Sequence, residues 1–109
     1  MPLARRKPDR LSATEGRHRR QPVEHRDIVI DGIRTFYRAA GPEDAPAVLL
    51  PHGYPCSSYQ YRHFIPALSD RWRLIAPDFP GFGYSDTPEP DRFSYDFDGY
   101  AGFLDRFVA

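Results

Sequence analysis

Residues 48–55 decide the fold, and they read Val48-Leu49-Leu50-Pro51-His52-Gly53-Tyr54-Pro55. Continuous rather than alternating hydrophobicity before the proline is typical of a strand buried on both faces of a parallel sheet. Because Gly53 permits a sharp turn and Pro55 fixes the exit direction, we expect the backbone N–H of Tyr54 to point outward. Such a donor at the carboxyl edge of a sheet can stabilise a developing negative oxygen, but a plain strand-ending turn fits the same residues.

The flanking chain alternates predicted strands and helices. Asp31-Gly32 separates two extended runs and is typical of a two-residue β-hairpin. Pro66 is expected to break or restart the first helical segment. The predicted elements are strands Asp27–Ile30, Ile33–Ala40 and Ala47–Leu50, helical segment Ser57–Ser69, strand Trp72–Ala76, and a helix capped by Ser94. This order predicts an α/β fold with a right-handed strand–helix–strand crossover.

The last helix is predicted to bury one apolar face. Its side chains recur at spacings of three and four residues, which is the period of an amphipathic helix. The predicted face consists of Phe97, Tyr100, Ala101, Leu104, Phe107 and Val108.

Charge divides the chain into two parts. The first 26 residues hold eight basic and three acidic residues, and no aromatic residue precedes Phe36. We therefore predict a disordered basic tail over residues 1–22 and a globular region over residues 23–109. Without aromatic residues or a recognisable module in the tail, no nucleic-acid partner is expected. No apolar run is long enough for a membrane span or a secretory signal, so we expect a soluble, cytoplasmic protein with no membrane partner.

A second motif follows the predicted strand Trp72–Ala76. It reads Asp78-Phe79-Pro80-Gly81-Phe82-Gly83-Tyr84-Ser85-Asp86. It lacks the third glycine of a dinucleotide loop, and Thr87 stands where a nucleophile elbow around Ser85 would need glycine. Neither Gly-x-Ser-x-Gly nor its Asp and Cys forms occurs in the 109 residues.

Cysteine and histidine offer weaker alternatives. Cys56 lies four positions after His52, a spacing that leaves a Cys–His dyad as a minor hypothesis. The four histidines show no metal-ligand spacing, so neither a metal nor another cofactor is expected.

Together these segments resemble the N-terminal part of an α/β-hydrolase. The resemblance covers the chain from about residue 25 to its end and rests on residues 48–58, Pro66-Ala67-Leu68, Leu74-Ile75-Ala76-Pro77-Asp78 and Gly81-Phe82-Gly83-Tyr84-Ser85. The His-Gly-x-Pro form is most similar to the branch containing epoxide hydrolases and haloalkane dehalogenases, although some esterases and C–C hydrolases share this loop.

The resemblance implies roles for residues in both motifs. The backbone N–H of Tyr54 would be one of two oxyanion-hole donors. Tyr54 and Phe79 would also line the pocket entrance. The supporting residues would be His52, Gly53 and Pro55 in the oxyanion loop, and Asp78, Gly81, Gly83 and Ser85 in a structural loop beside the pocket.

The resemblance also implies that catalysis needs residues outside this chain. The family uses an Asp or Ser nucleophile on an elbow, an acid and a late histidine, and we expect the chain to stop before that elbow. A small hydrophobic substrate would then belong only to the full-length protein. The predicted strand 48–50 would lack a neighbour on one edge, which favours a second, complementing chain as partner. Alone, the polypeptide is expected to be marginally stable or insoluble and without turnover.

Overall fold

A four-stranded mixed sheet organises residues 21–109, the part of the chain that the structure, a computed structural model, describes. Its strands are β1 (Glu24–Ile30), β2 (Ile33–Ala40), β3 (Ala47–Leu49) and β4 (Arg73–Pro77), in the order β1-β2-β4-β3. The β3–β4 pair is parallel, whereas β1–β2 and β2–β4 are antiparallel. Helices α1 (Phe64–Leu68) and α2 (Phe97–Val108) follow β3 and β4 in the chain, so the predicted α/β class is confirmed. The predicted tail lies outside the described residues except for Gln21 and Pro22.

The hairpin between β1 and β2 turns at Asp31-Gly32 as predicted. Both residues have positive φ, 51° and 79°, which is the backbone requirement of a type I′ turn. The turn places Ile30 opposite Ile33 and fixes the register of the two strands. Since side chains alternate between faces, this register puts Ile30 and Ile33 on one face and Asp27 and Phe36 on the other.

Two small cores cover the two faces of the sheet. The α2 side is built around Ile30, Ile33, Phe93 and Phe103. The α1 side is built around Ala40, Leu50, Ile65, Leu74 and Ala76.

The start of α2 differs from the prediction. The N-cap is Asp96, not Ser94, because the Asp96 carboxylate accepts a hydrogen bond from the Gly99 N–H at 2.8 Å. The Ser94 hydroxyl donates to the other oxygen of that carboxylate. The predicted start was therefore two residues too early.

The buried face of α2 also differs from the prediction. Phe103 is fully buried, whereas Phe97 is 94% exposed because no element of residues 21–109 covers the first turn of the helix. Ala101 and Val108 are exposed as well. The observed face therefore centres on Phe103, with Tyr100, Leu104 and Phe107 beside it.

Strand β3 is less buried than its apolar sequence predicts. Ala47 is exposed and Val48 and Leu49 are half-buried, because among the described residues β4 is the only strand that pairs with β3. The predicted helical segment 57–69 is divided into a 3₁₀ turn at Ser58–Tyr61 and α1. Pro66 stands in the first turn of α1, where its missing N–H needs no partner. Within residues 21–109, no helix has the length and apolar character needed to cross a membrane.

Candidate active-site loop

The loop that leaves β3 is closed by its own backbone. The N–H of Cys56 donates to the carbonyl of Gly53 at 2.8 Å, and the Tyr54–Pro55 peptide bond between them is cis. The side-chain oxygen of Gln60 accepts the N–H of Gly53 at 2.9 Å, which fastens the loop to the 3₁₀ turn that follows. These bonds use the amide hydrogens of Gly53 and Cys56.

The backbone N–H of Tyr54, between the bonded amides of Gly53 and Cys56, is a donor that this turn leaves available. Within residues 21–109 no acceptor binds it, and Pro55 has no N–H to offer. The Tyr54 side chain is 87% exposed and meets the Phe82 ring edge-on at 5.8 Å. The described loop therefore presents the amide of Tyr54 as an unbonded donor near the carboxyl end of β3.

His52 joins this loop to the one that follows β4. Its Nε2 accepts the backbone N–H of Phe79 at 3.1 Å, so the neutral ring carries its proton on Nδ1 and donates it to the Gly53 carbonyl at 2.9 Å. The buried ring also meets Phe79 and Phe82 edge-on. With both nitrogens bonded to backbone, His52 has none left to accept a proton from the Cys56 thiol, so the structure argues against the dyad hypothesis.

Asp78 is the polar centre of the second loop. Its carboxylate is fully buried, and its two oxygens accept the backbone N–H groups of Ser58 at 2.7 Å and Tyr84 at 2.8 Å. Gly83 packs directly against that carboxylate with a φ of 55°, and a Cβ there would collide with Oδ2 of Asp78. One side chain thus fixes both the 3₁₀ turn and the glycine-containing loop.

Ser85 and Gly81 complete the second loop. The Ser85 hydroxyl donates to the Asp78 carbonyl at 2.7 Å and accepts the backbone N–H of Phe36 at 2.9 Å. Gly81 has a φ of 90°, and its N–H donates to the carbonyl of Asp86. This loop is therefore anchored to the neighbouring strand β2 at the Phe36 N–H.

A shallow cavity of about 470 Å³ lies beside the first loop. Its lining includes Pro55, Cys56, Gly81, Phe82 and Gly83. Neither of the predicted entrance residues lines it: Tyr54 points outward, and Phe79 packs among the rings of His52, Tyr100 and Phe103.

The sequence did not point to every residue that supports the site. Gln60, Ser58 and Phe36 support the two loops through the bonds described above, yet none of them is among the site residues predicted from the sequence. Two of these three contribute backbone N–H groups, which carry no signal in the sequence. Within the described part of the chain, no group of three His, Cys, Asp or Glu residues is placed to hold a metal ion.

Known proteins are similar to this chain in sequence and architecture. An uncharacterized hydrolase of Saccharomyces cerevisiae is 47% identical over 72 residues, which cover 66% of this chain and 25% of that protein. A haloalkane dehalogenase of Bradyrhizobium diazoefficiens is 38% identical over 86 residues, covering 79% of this chain and 27% of that protein. The chain thus matches about a quarter of the length of these curated relatives.

A solved structure and a family profile agree with these relatives. The crystal structure of an epoxide hydrolase from Vigna radiata superposes with a TM-score of 0.71 and 34% identity, over 79% of this chain and 28% of that one. A sequence profile describing the alpha/beta hydrolase fold matches residues 46–109, which is more than half of the chain. The chain therefore belongs to the alpha/beta hydrolase fold family, as the motifs around His52 and Asp78 predict.

Proposed function

We propose that this chain supplies the oxyanion loop and the first strands of a hydrolase of the haloalkane dehalogenase and epoxide hydrolase type. The observation that carries the proposal is the backbone N–H of Tyr54, which no acceptor binds within residues 21–109. His52, Gln60 and Gly53 hold the turn through side-chain and backbone bonds, so this donor is positioned before any substrate binds. Preorganised donors of this kind are worth a factor of about 10²–10³ in kcat.

The proposed chemistry forms and then hydrolyses an ester. A carboxylate attacks carbon, and either a halide leaves or the epoxide C–O bond opens, with its electron pair going to oxygen. Water activated by a histidine then attacks the carbonyl carbon of the ester. Negative charge develops on the carbonyl oxygen in this second step, and the N–H of Tyr54 would stabilise it there.

By itself the 109-residue chain is proposed to be inactive. The resemblance places the nucleophile on a Gly-x-Asp-x-Gly or Gly-x-Ser-x-Gly elbow, and the 109 residues contain neither sequence. A small hydrophobic haloalkane or epoxide is the proposed substrate class of the complete enzyme.

A chimera tests the role of Tyr54. The stretch of this chain that matches the Bradyrhizobium haloalkane dehalogenase replaces its counterpart in that enzyme, and halide release from 1-bromobutane is followed. Replacing Tyr54 by its α-hydroxy analogue exchanges the N–H for an ester oxygen, and we expect kcat to fall about 10²-fold or more. Tyr54→Ala keeps the N–H and is the matched control, with activity within about threefold of the unmodified chimera.

The two variants make the result decisive. Equal activity of the ester variant and the unmodified chimera would remove Tyr54 from the oxyanion hole. The 109-residue chain assayed alone is expected to release no halide, and measurable release would contradict the proposal that it is inactive.

The nucleophile distinguishes the dehalogenase and epoxide hydrolase chemistry from that of a serine esterase of the same fold. DNA sequence downstream of codon 109 tests this directly. An in-frame Gly-x-Asp-x-Gly elbow supports the proposed chemistry, in which a carboxylate attacks carbon to form an ester. An in-frame Gly-x-Ser-x-Gly elbow supports a serine esterase.

A second candidate function is a non-catalytic one, in which the chain completes a sheet with another polypeptide. It is favoured by β3, whose half-buried Val48 and Leu49 have a strand neighbour on one side only within the described residues. Light scattering after size-exclusion chromatography tests self-association through this edge, and Val48→Lys is expected to weaken it. A monomer that Val48→Lys leaves unchanged would contradict self-pairing at β3.

A further inference from the structure

The face of the β1–β2 hairpin opposite α2 carries a second, open groove. Residues 25, 27, 34, 36 and 38 share this face, because Asp27 stands opposite Phe36 and His25 opposite Arg38 in the antiparallel register. The helical layer formed by the 3₁₀ turn and α1 covers the Ala40 end of the face and extends as far as Arg38. The uncovered part forms a cavity of about 500 Å³ lined by His25, Asp27, Arg34, Phe36, Arg38, Tyr59 and Tyr84.

Arg38 is held rigidly in this groove. It is only 9% exposed, and its Nε donates to the Ser58 hydroxyl at 2.8 Å. Its Nη1 donates to Nε2 of His25 at 3.1 Å, so that ring nitrogen is an acceptor and the imidazole is neutral. The guanidinium also lies 5.3 Å from the centre of the Phe36 ring and 5.6 Å from that of Tyr59.

The positive charge of Arg38 has no carboxylate partner in the described part of the chain. No Asp or Glu oxygen of residues 21–109 lies within 4.0 Å of it. Arg34, on the same face, differs, since it contacts Asp27 at 2.9 Å and Asp86 at 3.4 Å. Buried charges in proteins are normally paired, so a nearly buried arginine with only neutral partners is arranged to receive an anion.

We propose that this groove binds the carboxylate of a small aromatic acid. The planar guanidinium matches a carboxylate, and the hydrogens of Nη2 and the second hydrogen of Nη1 are not used in the bonds described. The rings of Phe36, Tyr59 and Tyr84 give the groove aromatic walls for the body of the ligand. Because Arg38 is nearly buried, the group that reaches it must be slender. This site shares Tyr59 with the cavity beside Tyr54 but none of the oxyanion-loop residues, and it does not depend on the proposed hydrolase activity.

Fluorine NMR of 4-fluorobenzoate mixed with the 109-residue chain tests the proposal. We expect saturable broadening of the ligand signal, and Arg38→Gln is expected to weaken binding about tenfold or more because the charged partner is lost. Arg106→Gln is the matched control outside the groove, with affinity within about threefold of the unmodified chain, because Arg106 pairs with Asp31 and does not line the cavity. Far-UV circular dichroism checks that each variant folds.

Two measurements on the unmodified chain decide the question even if Arg38→Gln fails to fold. The uncharged 4-fluorobenzamide, similar in shape, is expected to bind about tenfold more weakly, and inorganic phosphate is expected to displace 4-fluorobenzoate less effectively than benzoate does. Equal binding of the amide, displacement by phosphate as effective as by benzoate, equal losses in the two arginine variants, or no binding of 4-fluorobenzoate would overturn the proposal.

Discussion

The Nε2 atom of His52 accepts the backbone N–H of Phe79 at 3.1 Å, which ties the loop after β3 to the loop after β4 through one side chain. The two residues are 27 positions apart in the sequence, and each follows a strand of the parallel pair. The turn that presents the Tyr54 N–H therefore depends on a contact with a neighbouring loop as well as on the bonds within its own loop.

Replacing His52 by alanine is expected to destabilise the chain. The variant leaves the Phe79 N–H without an acceptor, and it removes the bond to the Gly53 carbonyl and the contacts between rings. We expect the free energy of unfolding in urea to fall by about 2–3 kcal/mol. The exposed His63 is the control, and His63→Ala should change it by less than about 0.5 kcal/mol. If His52→Ala lowers the free energy of unfolding as little as His63→Ala does, the His52 bonds contribute nothing measurable to stability.

Two glycines of the candidate site are expected to tolerate alanine very differently. A Cβ at Gly83 would collide with the buried Asp78 carboxylate, and the positive φ there adds backbone strain. Gly53 has open space around the position of a Cβ. We expect Gly83→Ala to lower the free energy of unfolding by about 2 kcal/mol or more, and Gly53→Ala by less than about 1 kcal/mol. The reverse order in chemical denaturation would contradict the packing of the Asp78 loop.

The N-cap of α2 predicts that the stability of the fold depends on pH. The Gly99 N–H and the Ser94 hydroxyl bind the ionised carboxylate and hold the pKa of Asp96 below its ordinary value of 3.8. Because this pKa is lower in the folded than in the unfolded chain, the carboxylate stabilises the fold above the ordinary pKa, and the contribution is lost as the pH falls through the folded value. The difference in urea midpoint between the unmodified chain and Asp96→Ala should therefore be largest near about pH 7 and decrease toward about pH 2.

A Ser94→Ala variant is the control for this titration. It removes one of the hydrogen bonds that lower the pKa of Asp96, so the loss of stability on acidification should begin at a higher pH than in the unmodified chain. A midpoint difference for Asp96→Ala that stays constant from neutral to acidic pH would contradict the cap.

Phenylalanine truncations in α2 test which face is buried. Phe103 is fully buried against Ile30 and Ile33, so Phe103→Ala is expected to cost about 3–5 kcal/mol of the free energy of unfolding. Phe97→Ala removes the same atoms from a side chain that is 94% exposed and should cost less than about 0.5 kcal/mol. Similar costs for the two variants would contradict the orientation of the helix.

The sequence predicts a structural feature well when neighbouring residues in the chain determine it, and less well when contacts between distant residues do. The Asp31-Gly32 turn was predicted correctly because the positive φ of two adjacent residues is a property of those residues alone. The face of α2 was predicted wrongly in part, since apolar residues surround much of this helix and only contact with Ile30 and Ile33 selects Phe103. The spacing of the apolar residues does not by itself decide which apolar face of the helix packs against the sheet.

In the candidate site, too, the sequence predicts the positions of key residues but not the distant groups that bind them. The motifs predicted that His52 and Asp78 belong to loops after two neighbouring strands, and the structure places them there. The groups that bind them were not predictable, because the Phe79 and Ser58 N–H groups are backbone atoms at positions 27 and 20 residues away. The role of Tyr54 as a donor stays a prediction until the backbone substitution is made.

Strand β4 stands between β2 and β3 although it is the last of the four strands in the chain. The β1–β2 hairpin closes through a two-residue turn, whereas the pair Tyr37 and Pro77 joins residues forty positions apart. On a ribosome, the hairpin therefore forms early, and the inner edges of β2 and β3 stay open until residues 73–77 have emerged. The insertion of β4 is therefore the step that joins the hairpin and β3 into one sheet.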